Sequence, residues 1–242
     1  MKRRDEAEDP RRRLLIQALS TGFLAAGALE AVAQTSLLGA RPAKLPPDQS
    51  IYRLSGTATV NGKPATLQTR ISASDTVETS SGGEIVFVVG GNAMILREGS
   101  KLDLSAERAG SFLISGLRLL TGKLLSVSRN QNTRVSTTTA TIGIRGTGFY
   151  VESDPAETYF CTCYGATDVA ANNDPESKET VTASHHDRPL FIVSGEQRGR
   201  NIRDAGFRNH TDQELMLIET LVGRSPPFVF PGSGYSTPRR EY

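Results

Sequence analysis

The sequence predicts an all-β domain, built as a sandwich or a short β-roll of many short strands and followed by a short C-terminal amphipathic helix. Three observations lead to this prediction. Short runs of alternating apolar and polar residues recur from Ile51 onward. Turn signals rich in glycine, asparagine and serine separate these runs at roughly ten-residue spacing. Near the C-terminus the alternation gives way to apolar residues at helical spacing.

Composition describes an ordinary globular protein of 242 residues, with 37% apolar and 22% charged residues. The formal net charge of +2 does not provide the basic surface that follows nucleic-acid phosphates, so we expect no nucleic-acid partner. The chain contains no nucleophile elbow, phosphate loop, dinucleotide fingerprint or paired carboxylates in a recognisable context. We therefore predict no catalytic residues and a protein that is not an enzyme.

Residues 1–33 have the pattern of an export signal, which we predict to be of the twin-arginine type. Leu14 to Leu29 form an apolar stretch, and Ala31 and Ala33 define a small-residue cleavage site before Gln34. The stretch of sixteen residues is shorter than the roughly 20 needed to cross a bilayer, so we expect cleavage and no stable membrane span. A general secretory signal and an uncleaved anchor are the alternatives. The signal motif comprises Arg11, Arg12, Arg13, Leu14 and Leu15.

The remainder of the chain divides into three parts. Residues 34–50 are proline-rich and predict an extended leader. Residues 51–195 form the predicted β-domain with its C-terminal strand extension. Residues 196–242 contain a helix at about 211–223 and a proline-rich tail. Thr211 and Glu214 have the spacing of a capping box, which marks the start of this helix. We expect the helix to pack on the β-domain, with docking to another protein as the alternative.

Local patterns predict several details of the β-domain. Asn61-Gly62 indicates a hairpin turn between the strand that ends at Val60 and a segment around 65–67. Glu84–Val89 is almost continuously apolar, which is typical of a central strand covered on both faces. Gly122 and Gly165 are interpreted as turn residues that separate consecutive strands.

The run from Thr141 to Tyr150 combines alternating isoleucines with three glycines and an arginine, and predicts strand, kink and strand. One interpretation is a β-bulge at a sheet corner, in which Arg145 satisfies turn carbonyls. The other is an anion pocket formed by Arg145 and glycine amides. The residues that define the motif are Gly143, Arg145, Gly146, Thr147, Gly148 and Phe149.

This motif closes a series that resembles the FecR-type periplasmic domain. The series comprises Ser55–Thr57, Asp75–Ser80, Val88–Leu96, Leu120–Leu124 and Ile142–Phe149, in the order of that family, and the resemblance covers residues from Ile51 to Val169. The resemblance implies an exported binding or sensing module in the periplasm or cell envelope, with an envelope protein or peptide as its partner. The resemblance implies a domain order for the signal-transducing members, in which an anti-sigma segment and a membrane helix precede this domain. Here an export signal precedes it, so we expect a protein that lacks the anti-sigma segment.

Two cysteines and two histidines suggest an alternative function. Cys161 and Cys163 point to the same face of a predicted strand, where they are buried thiols, a disulfide or metal ligands. A regular strand separates their Cβ atoms by about 6–7 Å, so a disulfide, which needs ~3.5–4.5 Å, requires distortion. His185 and His186 would add imidazole ligands for a transition metal, with Asp187 as an outer hydrogen-bond acceptor. This arrangement predicts a periplasmic metal-binding or redox protein, in which only one of the adjacent histidines joins the cysteines.

Overall fold

The structure is a computed structural model that describes residues 42–106, 108, 113–128, 132–195 and 197–228. The predicted export signal, the first part of the predicted leader and most of the proline-rich tail lie outside these residues. Within the described ranges the chain forms fourteen strands and one α-helix, which confirms the predicted fold class. None of the described helices has the length and apolar character that crossing a membrane requires.

The strands are β1 Ile51–Ser55, β2 Ala58–Val60, β3 Lys63–Pro64, β4 Thr76–Thr79, β5 Glu84–Val89, β6 Asn92–Leu96, β7 Lys101–Ala106, β8 Ile114–Val127, β9 Asn132–Ser136, β10 Ala140–Ser153, β11 Glu157–Ala171, β12 Asp174–Ala183, β13 Leu190–Val193 and β14 Ile202–Asp204. The helix, α1, is Asp212–Leu221.

All of these strands belong to one open sheet. Its main path runs β14-β13-β11-β10-β9-β8-β7-β4-β2-β3, while β12 pairs with β11, and β6, β5 and β1 continue from the second half of β8. The pairings are antiparallel except for that of β8 with β9. The three long strands β8, β10 and β11 hold the sheet together, because each pairs with different neighbours in its first and second halves.

Apolar side chains cover the sheet on two faces. The main core includes Ile85, Phe87 and Leu119. The second layer, which we call the helix-side core, packs against α1. Neighbouring residues of β5 enter both layers, which confirms that this strand is covered on each face. The helix-side core consists of Val86, Ala93, Ile95, Leu125, Val127, Tyr150, Tyr159, Cys161, Cys163, Tyr164, Leu215, Ile218 and Leu221.

Glycines with positive φ lie inside the long strands rather than between strands. Gly122 (φ 89°) is within β8 and Gly165 (φ 93°) is within β11, so the predicted turns at these two residues are wrong. The predicted kink in β10 is confirmed, because the register shifts between Arg145 and Gly148 and Gly146 has φ 62°. Each irregularity changes which alternate residues face the main core, so a long strand keeps apolar residues inward on both sides of the bend.

The predicted hairpin at Asn61-Gly62 is confirmed, with a difference in its returning strand. Both turn residues have positive φ, as a two-residue hairpin turn requires. Val60 consequently pairs with Lys63, and the return strand is Lys63–Pro64 rather than the segment 65–67.

The capping box of α1 forms as predicted. The Glu214 amide donates to Thr211 Oγ1 at 3.3 Å, and the Thr211 amide donates to Glu214 Oε2 at 3.0 Å. Leu215, Ile218 and Leu221 are buried in the helix-side core, so the helix packs on the β-domain.

Candidate metal centre

The two cysteines lie side by side on the helix-side face of β11. Both side chains are fully buried, and both are free thiols. The Cys163 thiol donates to the carbonyl of Cys161, with 3.9 Å between sulfur and oxygen. The pairing with β10 shifts register between Thr162 and Tyr164, so Cys163 is the extra residue of a β-bulge. Both cysteine side chains belong to the helix-side core.

The turn after β12 brings one of the two predicted histidines to this pair. His186 adopts a positive φ of 53°, which is uncommon for a residue other than glycine. Its Nδ1 lies 3.5 Å from Cys161 Sγ, and its side chain is only 7% exposed. His185 instead contacts the carboxylate of Asp212 at 3.0 Å. Asp187 accepts hydrogen bonds from the turn amides of Ser184 and His185, so its predicted contact with a ligating histidine is not observed.

A third histidine, His210, completes the group and was not identified from the sequence. Its Nε2 lies 3.1 Å from Nδ1 of His186, although 24 residues separate the two. The side chain is buried, and its ring stacks on Tyr150 with 4.5 Å between centroids. No local spacing relates His210 to the cysteines. The available signal is composition, because the whole chain has three histidines and two cysteines and four of these five residues converge here.

The four ligand atoms lie within 4.8 Å of one another. They are Cys161 Sγ, Cys163 Sγ, His186 Nδ1 and His210 Nε2. A second group with the same closeness consists of His185, His186 and Asp212. In that group both imidazoles contact the carboxylate at 3.0 Å, which is an ordinary hydrogen-bond distance.

In His186 and His210, the outer ring nitrogen, which is the one outside the group of four ligand atoms, has a hydrogen-bond acceptor. His210 Nδ1 donates to the carbonyl oxygen of Arg208 at 2.7 Å. His186 Nε2 donates to Oδ1 of Asp212 at 3.0 Å, and this carboxylate is 1% exposed. Because a carbonyl and a carboxylate only accept, these bonds place the protons on the outer nitrogens. His186 Nδ1 and His210 Nε2 are then left with lone pairs directed into the cluster.

Polar contacts fix the segment that carries His210. Glu152 on β10 accepts from Arg208 at 2.8 Å, from Asn209 at 2.7 Å and from the Tyr150 hydroxyl at 2.7 Å. Arg97 donates to the Asn209 carbonyl at 2.9 Å. Asn209, which precedes His210, has a positive φ of 60°. His186 also has a positive φ, so each histidine of the group lies at or next to a left-handed residue. Sparsely populated backbone conformations cluster at functional sites, where the surrounding structure holds them in place.

The cluster shifts the pKa values of its two thiols in opposite directions. Burial opposes ionisation of Cys161, but hydrogen bonds from Cys163, and from His186 and His210 in their protonated forms, hold its pKa well below the ordinary value. Burial and the neighbouring Cys161 raise the pKa of Cys163. Burial also opposes the charged form of His186, yet Cys161 and Asp212 raise its pKa. The site therefore favours one thiolate beside positive charge, which is the environment that a metal-ligating cysteine requires.

The motif in β10 occupies a different part of the sheet. Arg145 Nη2 bonds to Asp168 Oδ1 on β11 at 2.9 Å, and both side chains are half exposed. Arg118 and Arg134 on neighbouring strands line the same open groove, which has a volume of about 700 Å³. We call this feature the arginine groove. Gly143 and Gly116 form part of its lining.

Two comparisons find relatives of the chain. Crystal structures at 1.65 and 2.50 Å resolution of a protein from Parabacteroides distasonis, described as a "putative anti-sigma factor", each align with a TM-score of 0.44 and 14% identity. The alignments cover 69% of this chain and 85% of that one. The comparison with curated proteins gives no match. A family model described as FecR protein matches residues 75–166, and this part of the chain is therefore similar to the FecR family.

Proposed function

We propose that this protein is an exported, non-enzymatic binding or sensing module of the bacterial cell envelope, located in the periplasm. The observation that carries the proposal is the FecR match over residues 75–166, which span the strands from β4 to the middle of β11. The export signal predicted from residues 1–33 supports the location. The arginine groove supplies a surface for a partner, because it lies on the strands that contain the family motif.

The charge of the groove indicates the chemistry of that partner. Among the residues that the structure describes, Arg118, Arg134 and Arg145 line it with one acidic residue, Asp168, which already pairs with Arg145. Serine, threonine and asparagine side chains supply further hydrogen-bonding groups around the three guanidinium groups. Such a surface complements an acidic segment of an envelope protein, because guanidinium groups bind carboxylates in a bidentate geometry.

Photocrosslinking in intact cells tests the binding proposal. A photoreactive residue in place of Ser136, which lines the groove, should give a discrete adduct with an envelope protein. The same residue in place of Thr66, an exposed position elsewhere on the domain, is the control and should not. The adduct should disappear when Arg118 and Arg134 are changed to Glu. An adduct that survives this charge reversal would contradict an acidic partner at the groove.

Export is tested separately. Changing Arg11, Arg12 and Arg13 to Lys should retain the full-length precursor in the cytoplasm, because twin-arginine export depends on the arginine pair. The wild-type protein should appear in the periplasmic fraction with Gln34 as its first residue. Persistence of the unprocessed mass after export would refute cleavage, whereas export of the lysine variant would indicate a general secretory signal.

A specific observation favours a second candidate function, which is binding of a transition metal ion. Two thiols and two imidazoles from three parts of the chain place their ligand atoms within 4.8 Å of one another. Elemental analysis of protein purified without chelators should find near-stoichiometric metal. Absence of metal after reconstitution, together with thiols that titrate as free once the protein is unfolded, would exclude this function.

A further inference from the structure

Taking the metal-binding candidate as its basis, we infer that the ion is zinc and that the site is closed, with four protein ligands and no position for substrate. Asp212 and the Arg208 carbonyl act as positioning groups that orient the two imidazoles. This assignment replaces His185 of the sequence-based set with His210. The four ligand atoms are Cys161 Sγ, Cys163 Sγ, His186 Nδ1 and His210 Nε2.

The separations between ligand atoms agree with a tetrahedral ion. Zinc binds nitrogen at about 2.0–2.1 Å and sulfur at about 2.3 Å, so neighbouring ligand atoms of a tetrahedron lie about 3.3–3.8 Å apart. The distance of 3.5 Å from Cys161 Sγ to His186 Nδ1 lies within this range, and that of 3.1 Å from His186 Nδ1 to His210 Nε2 is shorter than its lower end by about 0.2 Å. Two soft sulfur and two imidazole ligands in this geometry favour zinc over octahedral or square-planar ions.

The facing histidines give an independent reason for a cation. His186 and His210 both donate from their outer nitrogens, so both inner nitrogens present lone pairs at 3.1 Å. Two lone pairs at this distance repel unless a proton or a metal ion lies between them and the thiolates. A carboxylate or carbonyl behind each imidazole is the arrangement that sets the tautomer and raises ligand basicity in zinc sites.

Burial indicates that the site is closed. Cys161, Cys163, His210 and Asp212 are each at most 1% exposed. The rings of Phe207 and Tyr150 pack on His210 at 4.4 and 4.5 Å between centroids. An ion with four protein ligands in such surroundings has no water-accessible coordination position, which is the property of structural rather than catalytic zinc.

The positions of the ligands in the chain show which segments the ion would connect. The cysteines belong to β11 and lie within the residues matched by the FecR model, whereas both histidines lie beyond them. His210 is separated from α1 by Thr211 alone. Zinc would therefore connect the FecR-type domain to the turn after β12 and to the start of the C-terminal helix.

Titration of the stripped full-length protein with Co²⁺ tests the ligand set, since tetrahedral Co²⁺ with thiolate ligands has a distinctive visible spectrum. We expect one equivalent bound, displaced by Zn²⁺. His210→Gln and His186→Gln should weaken binding at least 100-fold and alter the spectrum. His185→Gln is the matched control, because this neighbour bonds to Asp212 but not to the ion, and its affinity should stay within about threefold. Circular dichroism identifies any variant that does not fold.

Asp212→Asn separates a positioning role from ligation. The variant should keep the wild-type Co²⁺ spectrum while the dissociation constant rises about 10–100-fold. A changed spectrum would show that the carboxylate is itself a ligand, and unchanged affinity would show that it does not position His186. Either result would overturn this role for Asp212.

X-ray absorption at the zinc edge of the wild-type protein gives a result that does not depend on variant folding. We expect two sulfur neighbours at about 2.3 Å and two nitrogen neighbours at about 2.0–2.1 Å. Bound zinc with another ligand count, or with an open position occupied by water, would overturn the closed site while metal binding stands. Failure of both ions to bind the wild-type protein would overturn the metal-binding function as well.

Discussion

Nδ1 of His186 and Nε2 of His210 face each other at 3.1 Å, and each histidine is held by an acceptor behind its other ring nitrogen. The first lies in the turn after β12 and the second directly precedes the capping box of α1. Their approach therefore depends on docking of the C-terminal segment. A cation between them would stabilise this docking, which connects the candidate metal site to the stability of the whole domain.

Metal removal should lower the melting temperature. Ligand that binds only the folded state adds about 4 kcal/mol when its free concentration is 1,000 times the dissociation constant. A domain of this size gains about 2–4 °C per kcal/mol, so zinc should raise the melting temperature by about 8–16 °C over chelator-treated protein. The double variant Cys161→Ser and Cys163→Ser should show no zinc-dependent shift in calorimetry. Equal melting temperatures of the wild-type protein with zinc and with chelator would contradict this prediction.

Gly165 should resist substitution more than a left-handed glycine that has open space around it. A Cβ atom there would lie 2.5 Å from Thr147 Cγ2 and 3.1 Å from the Gly146 carbonyl oxygen. Gly62, which also has positive φ but has open space around it, is the matched control. We expect Gly62→Ala to cost about 1 kcal/mol from backbone strain and Gly165→Ala to cost about 3 kcal/mol or more. Urea unfolding measures both, and equal losses would show that the close approach is relieved elsewhere.

Local patterns were sufficient for the predicted fold class, and long-range pairing explains what they missed. The Asn61-Gly62 hairpin and the Thr211 capping box are each determined by adjacent residues, and both form as predicted. Gly122 and Gly165 look like turn residues in the sequence. In the structure they bend strands that continue, because pairing with neighbours on both sides supports the strand through the irregularity.

The candidate site also combines residues that local patterns predict with residues that long-range packing brings together. Two residues apart on one strand, Cys161 and Cys163 have a shared face that the two-residue period predicts. His186 was named with its neighbour His185, and only the positive φ of the turn decides which of them meets the cysteines. His210 reaches the site through packing of the C-terminal segment, which leaves no spacing signal in the sequence.

Asp174 should make stability depend on pH at the acidic end. Its carboxylate accepts from Ser177 Oγ at 2.6 Å, from the Gly199 amide at 2.6 Å and from Asn201 Nδ2 at 2.9 Å. These bonds, that of Ser177 above all, hold its pKa below the ordinary 3.8. A depressed folded-state pKa stabilises the protein above the unfolded value of 3.8, and this contribution disappears as pH falls through the lower folded value.

The test for Asp174 compares urea unfolding of the wild-type protein and Asp174→Asn across pH. The variant should be less stable at pH 7, and the difference should shrink as pH falls below 3.8 and through the lower folded-state pKa. Glu176→Gln is a control, since this more exposed acid pairs with Arg198 at the surface and should give little difference at any pH. A stability difference that is independent of pH would show that the carboxylate charge is not what the loop requires.

Arg145 should matter for partner binding more than for folding. Its ion pair with Asp168 joins two half-exposed side chains, and such pairs contribute about 0–1 kcal/mol. We expect Arg145→Ala to lower the free energy of unfolding by at most about 1 kcal/mol and to reduce crosslinking at the arginine groove. Arg53→Ala is the matched control, because Arg53 is equally exposed and pairs with Glu84 away from the groove. A loss of several kcal/mol in Arg145→Ala, with none in the control, would instead assign this arginine to the stability of the corner between β10 and β11.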